Sequence, residues 1–192
     1  SAAACSAKKL PLTGSSFVGY HDGNTRMCIF SSSPAAEAPY LADLRGDALH
    51  PDIYGIVLFH QTPDGVIIAT DVSGLPHGQG TCSGRFFAFH IHEGSACRGS
   101  ATDPFSAAGG HFNPAGCSHP YHAGDLPPLL GCGGDAMTVF LTNRFRLDEV
   151  IGRTVVIHEN ADDFTTQPAG NAGARIACGV IERFTISQQP QF

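Results

Sequence analysis

The chain has 192 residues, with 17 Asp and Glu against 11 Lys and Arg, giving a formal net charge of −6. That balance, with a sequence pI near 5.9, excludes a nucleic-acid binder that works through a basic stripe. No run approaches the roughly 18 apolar residues of a membrane span.

Residues 1–38 are rich in Ala, Ser and Gly with little periodicity. They read as an irregular or partly disordered N-terminal extension, leaving 39–192 as one domain. Alternating or β-branched runs then predict strands over 40–47, 54–61, 65–72, 85–92, 136–142, 154–158 and 175–186. Pro63-Asp64-Gly65 forms the hairpin turn between the second and third of these. Charged residues make up only 15% of the chain, while there are 23 Gly and 13 Pro. With no long helical period anywhere, that mixture predicts an all-β fold.

Six of the ten histidines fall in four short pieces: Phe89-His90-Ile91-His92-Glu93, Gly110-His111-Phe112, His119-Pro120-Tyr121-His122-Ala123-Gly124-Asp125, and Val156-Ile157-His158. In the 85–92 strand, a period of two puts Phe87, Phe89 and Ile91 on one face and Phe86, Ala88, His90 and His92 on the other. Both imidazoles therefore project the same way. An H-x-H taken alone is more often two surface histidines than a metal site, and the same holds for His158 at the end of its β-branched run. The loop piece says more. His111, His119, His122 and Asp125 lie in a Gly- and Pro-rich stretch too long to stay structureless without support. Three imidazoles and a carboxylate complete a tetrahedral zinc shell with no open position, the pattern of a structural ion. The other histidines, His21, His50, His60 and His77, lack metal-like neighbours and read as surface or turn residues.

The order of these pieces, closed by Gly170-Asn171-Ala172-Gly173-Ala174-Arg175-Ile176-Ala177-Cys178-Gly179-Val180-Ile181, resembles the copper/zinc superoxide dismutases over about residues 40 to 185. The short segments between His119 and His122 and between His158 and Arg175 look like those of bacterial members. The resemblance implies a flattened eight-stranded Greek-key β-barrel, akin to an immunoglobulin-like sandwich, with two long functional loops. It implies a superoxide dismutase that converts two superoxide anions to dioxygen and hydrogen peroxide by cycling Cu(II)/Cu(I). One copper per chain is expected at His90, His92, His111 and His158, and one zinc at His111, His119, His122 and Asp125. His111 then serves both ions and takes part in catalysis. Asp162 is expected to accept hydrogen bonds from His90 and His119. Arg175 is expected as the catalytic cation that draws and orients superoxide. The 159–174 loop contains no lysine and the net charge is −6, so steering has to be local.

The same resemblance implies a Cys97–Cys178 disulfide. Cys117 and Cys132 flank the zinc-ligand stretch and are expected as a second bridge, outside the general family pattern, that compensates for the short loop. Cys5, Cys28 and Cys82 remain, an odd number, so at least one is free or paired elsewhere. Disulfides favour an extracytoplasmic compartment, periplasmic or secreted, and a chain that starts at Ser1 is compatible with removal of a leader. The expected partners are superoxide and, as the resemblance allows, a second copy in a homodimer; neither nucleic acid nor a membrane span is expected. Two rival functions are a metal-binding module without turnover and a zinc hydrolase. Arg175 argues against the first and the closed zinc set against the second.

Overall fold

The structure, a computed structural model, describes residues 39–80 and 84–184 together with the backbone strands β1 (Ser16–Asp22) and β2 (Thr25–Ser31). β1 and β2 pair antiparallel from Ser16↔Ser31 to Asp22↔Thr25, so the segment read as irregular carries a hairpin. The sequence reason is local: Gly23-Asn24 is a two-residue turn signal between stretches holding Phe17-Val18 and Ile29-Phe30. This hairpin belongs to one compact unit and Tyr40–Arg183 to another. Cys5, Cys82 and the side chain of Cys28 lie outside the described residues.

The larger unit is built from β3 (Tyr40–Gly46), β4 (Tyr54–Thr62), β5 (Gly65–Ser73), β6 (Arg85–Phe87), β7 (Phe89–His92), β8 (Leu129–Gly131), β9 (Ala136–Thr142), β10 (Thr154–His158) and β11 (Arg175–Arg183). Seven of these form one antiparallel sheet in the order β7-β10-β11-β3-β4-β5-β9, and β6 pairs with β8. The 85–92 strand is therefore two strands rather than one. At Ala88 the backbone leaves both sheets: its N–H donates to Asn160 O at 2.7 Å, and its carbonyl accepts from His158 N at 2.9 Å. The break keeps the alternation, because Phe87, Phe89 and Ile91 are all fully buried while Phe86 is exposed. Counting Arg85–His92 once, the unit has the eight strands of a flattened Greek-key barrel. β8 escaped the sequence reading because three residues carry too little pattern.

The inward positions of β3, β4, β5, β7, β10 and β11 make one apolar core, with Phe59, Ile68, Phe89, Ile157 and Ile181 among its fully buried members. The turn at Pro63-Asp64 closes β4 on β5 with Thr62 facing Gly65. Among the described residues the only helices are single turns, Ser106–Ala108 and Leu147–Val150, and no helix is long and apolar enough to cross a membrane.

Three features of this frame fix the site. β10 is buried along its whole length between β7 and β11, which sets His90 opposite Val156 and His158 opposite Arg175. A register shift between Ile157 and His158 turns the end of β10. The loop after β7 then returns along that strand: Phe112 N donates to Ile91 O, Ile91 N to Gly124 O and Leu126 N to Phe89 O. Gly124 is required there, since a Cβ would sit 2.2 Å from Ile91 O.

Candidate metal centre

His90 and His92 come from β7, His158 from the end of β10, and His111, His119, His122 and Asp125 from the loop lying along β7. All seven side chains are buried, none above 8% exposed. They form two groups of four, His90-His92-His111-His158 and His111-His119-His122-Asp125, and within each group the ligand atoms lie within 4.8 Å of one another. His111 belongs to both.

The hydrogen bonds around these rings fix which nitrogen is free. His92 Nδ1 donates to Gly109 O at 2.9 Å and His158 Nδ1 to Gly173 O at 3.3 Å. Their Nε2 atoms are therefore unprotonated acceptors, and they face each other at 3.1 Å. Two lone pairs at that distance repel unless a cation sits between them. Protonation does not relieve the contact, because burial first, and neighbouring imidazoles next, hold His92 well below the usual histidine range and His158 down to about 3. His90 is lowered as well, again chiefly by burial.

The second group repeats the pattern with a carboxylate. His119 Nε2 donates to Asp162 Oδ1 at 2.9 Å, leaving Nδ1 as an acceptor 3.1 Å from Asp125 Oδ2 without hydrogen-bond alignment. His111 Nδ1 lies 2.7 Å from Asp125 Oδ1 and 3.3 Å from His122 Nδ1. Burial raises the Asp125 carboxyl, but the His111 hydrogen bond and the surrounding imidazoles outweigh it and keep the group ionised. On the side of the first group, His111 Nε2 and His90 Nδ1 are buried without any hydrogen-bond partner. Buried polar atoms are rarely left so. Both groups have the donor chemistry and the unpartnered atoms of metal sites, imidazole only in one and imidazole with carboxylate in the other.

Asp162 lies between them. Its Oδ2 accepts from His90 Nε2 at 2.8 Å, and its Oδ1 from His119 Nε2 at 2.9 Å and Phe164 N at 2.7 Å. Burial raises its carboxyl, and these three donors more than offset that, keeping it well below the normal carboxylate range. Gly170 makes room for it: φ is +64°, and a Cβ would stand 2.1 Å from Asp162 Oδ1 and 2.7 Å from His119 Nε2.

Arg175 opens β11 and is partly buried. Its Nη2 donates to Gly109 O at 2.9 Å, and its Nη1 contacts both Asp103 oxygens at 2.9 and 3.0 Å. Cys97 and Cys178 are disulfide-bonded across 81 residues and pack with Phe105, Ala108 and Val156 in a small apolar cluster. The 97–109 loop is thus fastened to β10 and β11. The second bridge does not form. Cys117 and Cys132 are free and exposed, because each belongs to its own tight turn: Cys117 is held by both ends of the Asn113 amide, and Cys132 pairs with Asp135 between β8 and β9.

Hydrogen bonds to the backbone support the short loop instead. Arg144 Nη1 reaches the carbonyls of Pro120, His122 and Asp125 at 3.0, 3.2 and 3.1 Å. Gln167 closes on the main chain of His119 from both sides, accepting from N at 3.0 Å and donating to O at 2.7 Å. Neither residue was singled out from sequence, nor was Asp103. Arg144 and Gln167 bond backbone groups, which leave no side-chain pattern to read, and Asp103 meets Arg175 across 72 residues of chain.

The family model for copper/zinc superoxide dismutases matches residues 53–181, more than half of the chain. The chain belongs to the copper/zinc superoxide dismutase family. A Cu-Zn superoxide dismutase of Deinococcus radiodurans is 39% identical over 152 residues, covering 68% of this chain and 78% of that one. One from Legionella pneumophila is 36% identical, covering 80% and 93%. Among solved structures, the Cu/Zn superoxide dismutase of Brucella abortus superposes with a TM-score of 0.64 at 28% identity, over 75% of this chain and 99% of that one. The family accounts for the two buried groups: this dismutase uses copper and zinc, and its two sites share a histidine.

Proposed function

We propose that His90, His92, His111 and His158 hold the copper, that His111, His119, His122 and Asp125 hold the zinc, and that Arg175 binds the anion. The observation that carries this reading is His111. Its Nδ1 faces the Asp125 carboxylate and His122, while its Nε2 faces the imidazole-only group with no protein partner. One ring thus offers a separate nitrogen to each ion. When bound, copper supplies a one-electron couple and zinc a fixed Lewis acid without redox chemistry.

The protein's own groups do the rest. Two superoxide anions and two protons give dioxygen and hydrogen peroxide. His111 Nε2 is the atom at which one of those protons is held and delivered, being a buried acceptor beside the redox set. The other proton comes from water. Asp162 orients His90 and His119 through their Nε2–H groups, so that both present Nδ1. Arg175, directly across from His158 in the β10–β11 register, supplies the positive charge that binds and orients the substrate.

We read 39–192 as the dismutase domain, and the Cys97–Cys178 bridge supports an extracytoplasmic location. The formal charge of −6 argues against nucleic acid. The family resemblance supports a homodimer. Metal counting and dismutation assays on purified protein test the assignment. His158→Ala should lose copper and activity together, and Asp125→Ala should lose zinc first. A protein that holds both metals and does not consume superoxide would sink the catalytic reading.

A further inference from the structure

Arg175 has five N–H donors, and most are committed. Nη1 is held by both oxygens of Asp103, one Nη2 hydrogen goes to Gly109 O, and Nε is buried with no partner. A small anion that uses this guanidinium must share it with a carboxylate already in place, or displace that carboxylate. Asp103 is built for such an exchange. Its backbone is fixed: its carbonyl accepts from Ser100 N and Ser106 N, and its N–H donates to Ser100 Oγ. Its side chain, by contrast, is 47% exposed, against 23% for Arg175, and can turn to water without disturbing the loop. The disulfide and Phe105 hold this loop against β10 and β11, so the carboxylate stays within reach.

We propose that Asp103 is an internal competitor for the anion subsite, a positioning residue whose charge sets how tightly Arg175 binds superoxide and other anions. This rests on the assignment of Arg175 as the substrate-binding cation. Asp103 attenuates both local attraction and retention: the negative charge lowers the potential at the guanidinium and supplies a resident acceptor. In a chain with no lysine in the 159–174 loop, Asp103 then controls most of what Arg175 exerts on an approaching anion.

The test uses the full chain loaded with copper and zinc, as wild type, D103N, D103A and D103E. Azide affinity is read from the visible absorption of the copper form, and the dismutation rate is followed against ionic strength. D103N and D103A should bind azide about tenfold tighter, the scale expected for one partly screened charge a few ångströms away. Their rates should fall more steeply with added salt, and D103E should return both properties to wild-type values. Unchanged azide affinity and salt slope in D103N, with the thermal midpoint and disulfide intact, would overturn the proposal. Weaker azide binding in D103N and D103A would overturn it too, showing that the carboxylate only braces Arg175. Failure of the Arg175 assignment looks different: R175A would then bind azide as wild type does.

Discussion

His92 and Arg175 donate to the same oxygen. The carbonyl of Gly109 accepts His92 Nδ1 at 2.9 Å and Arg175 Nη2 at 2.9 Å, so one backbone group sets a metal-group imidazole and the cation proposed to bind the substrate. Gly109 is held in turn by the 97–109 loop, which the Cys97–Cys178 bridge ties to β11 three residues beyond Arg175.

Opening that bridge should therefore loosen both sides of the site at once. Cys178→Ser should destabilise the fold by about 4 kcal/mol on chain-entropy grounds, read as a lower midpoint in urea. Copper affinity and azide affinity should fall together in the same variant. Loss of stability with both affinities preserved would separate the bridge from the site.

Arg144 stands in for the missing second disulfide. With its three carbonyl contacts removed, Arg144→Ala should weaken zinc by roughly 10- to 100-fold, the usual effect of losing a group that orients ligands. Copper should be retained, since His90, His92 and His158 lie outside the segment it braces. Competition with a zinc-selective chelator measures this, and simultaneous loss of copper would contradict it.

Gly170→Ala places a methyl group 2.1 Å from Asp162 Oδ1 on a backbone with φ of +64°. The strain and the clash should together cost about 2 kcal/mol or more. Because Asp162 bonds both His90 and His119, the apparent affinities of both ions should drop, whereas Gly116→Ala, also at positive φ but with nothing near its Cβ, should change stability and leave metal binding alone.

The metal-free protein should grow more stable as pH rises through the acid range. Unfolded histidine titrates near 6.5, but His158 stays neutral in the fold until about 3. Between those values the unfolded chain binds more protons, so stability falls as pH falls. His90 and His92 are displaced in the same direction. Urea midpoints of the apo protein should decline steadily from roughly pH 7 to pH 4; a flat series would show that these imidazoles are not held neutral.

The parts of this site that could be read from sequence were those with a period or a donor set. His90 and His92 announce themselves by two-residue alternation between Phe87, Phe89 and Ile91, and that alternation survives the break at Ala88. His111, His119, His122 and Asp125 are conspicuous as four ligand types in a loop otherwise rich in Gly and Pro. Arg144 and Gln167 had no such mark, because they act on carbonyl and amide groups that every residue possesses. Cys117 and Cys132 misled for a related reason: their positions flanking the zinc-ligand stretch suggested a bridge, but each is held in a turn of its own. The 1–38 segment looked featureless because its hairpin is short and its surroundings are Ala- and Ser-rich.

β7 is the last strand at one end of the seven-stranded sheet. Its outward N–H and C=O groups are satisfied by Phe112, Gly124 and Leu126 of the metal-bearing loop, so the loop also serves as the sheet's guard rail. When the ions leave, the rail depends on the core burial of Phe112 and Leu126, the Asp162–His119 bond, Arg144, Gln167 and a few backbone bonds. A bared β7 would offer an unpaired edge to any extended chain nearby, including another copy of itself. Displacing this loop would thus open a route to self-association as well as dismantle the metal groups.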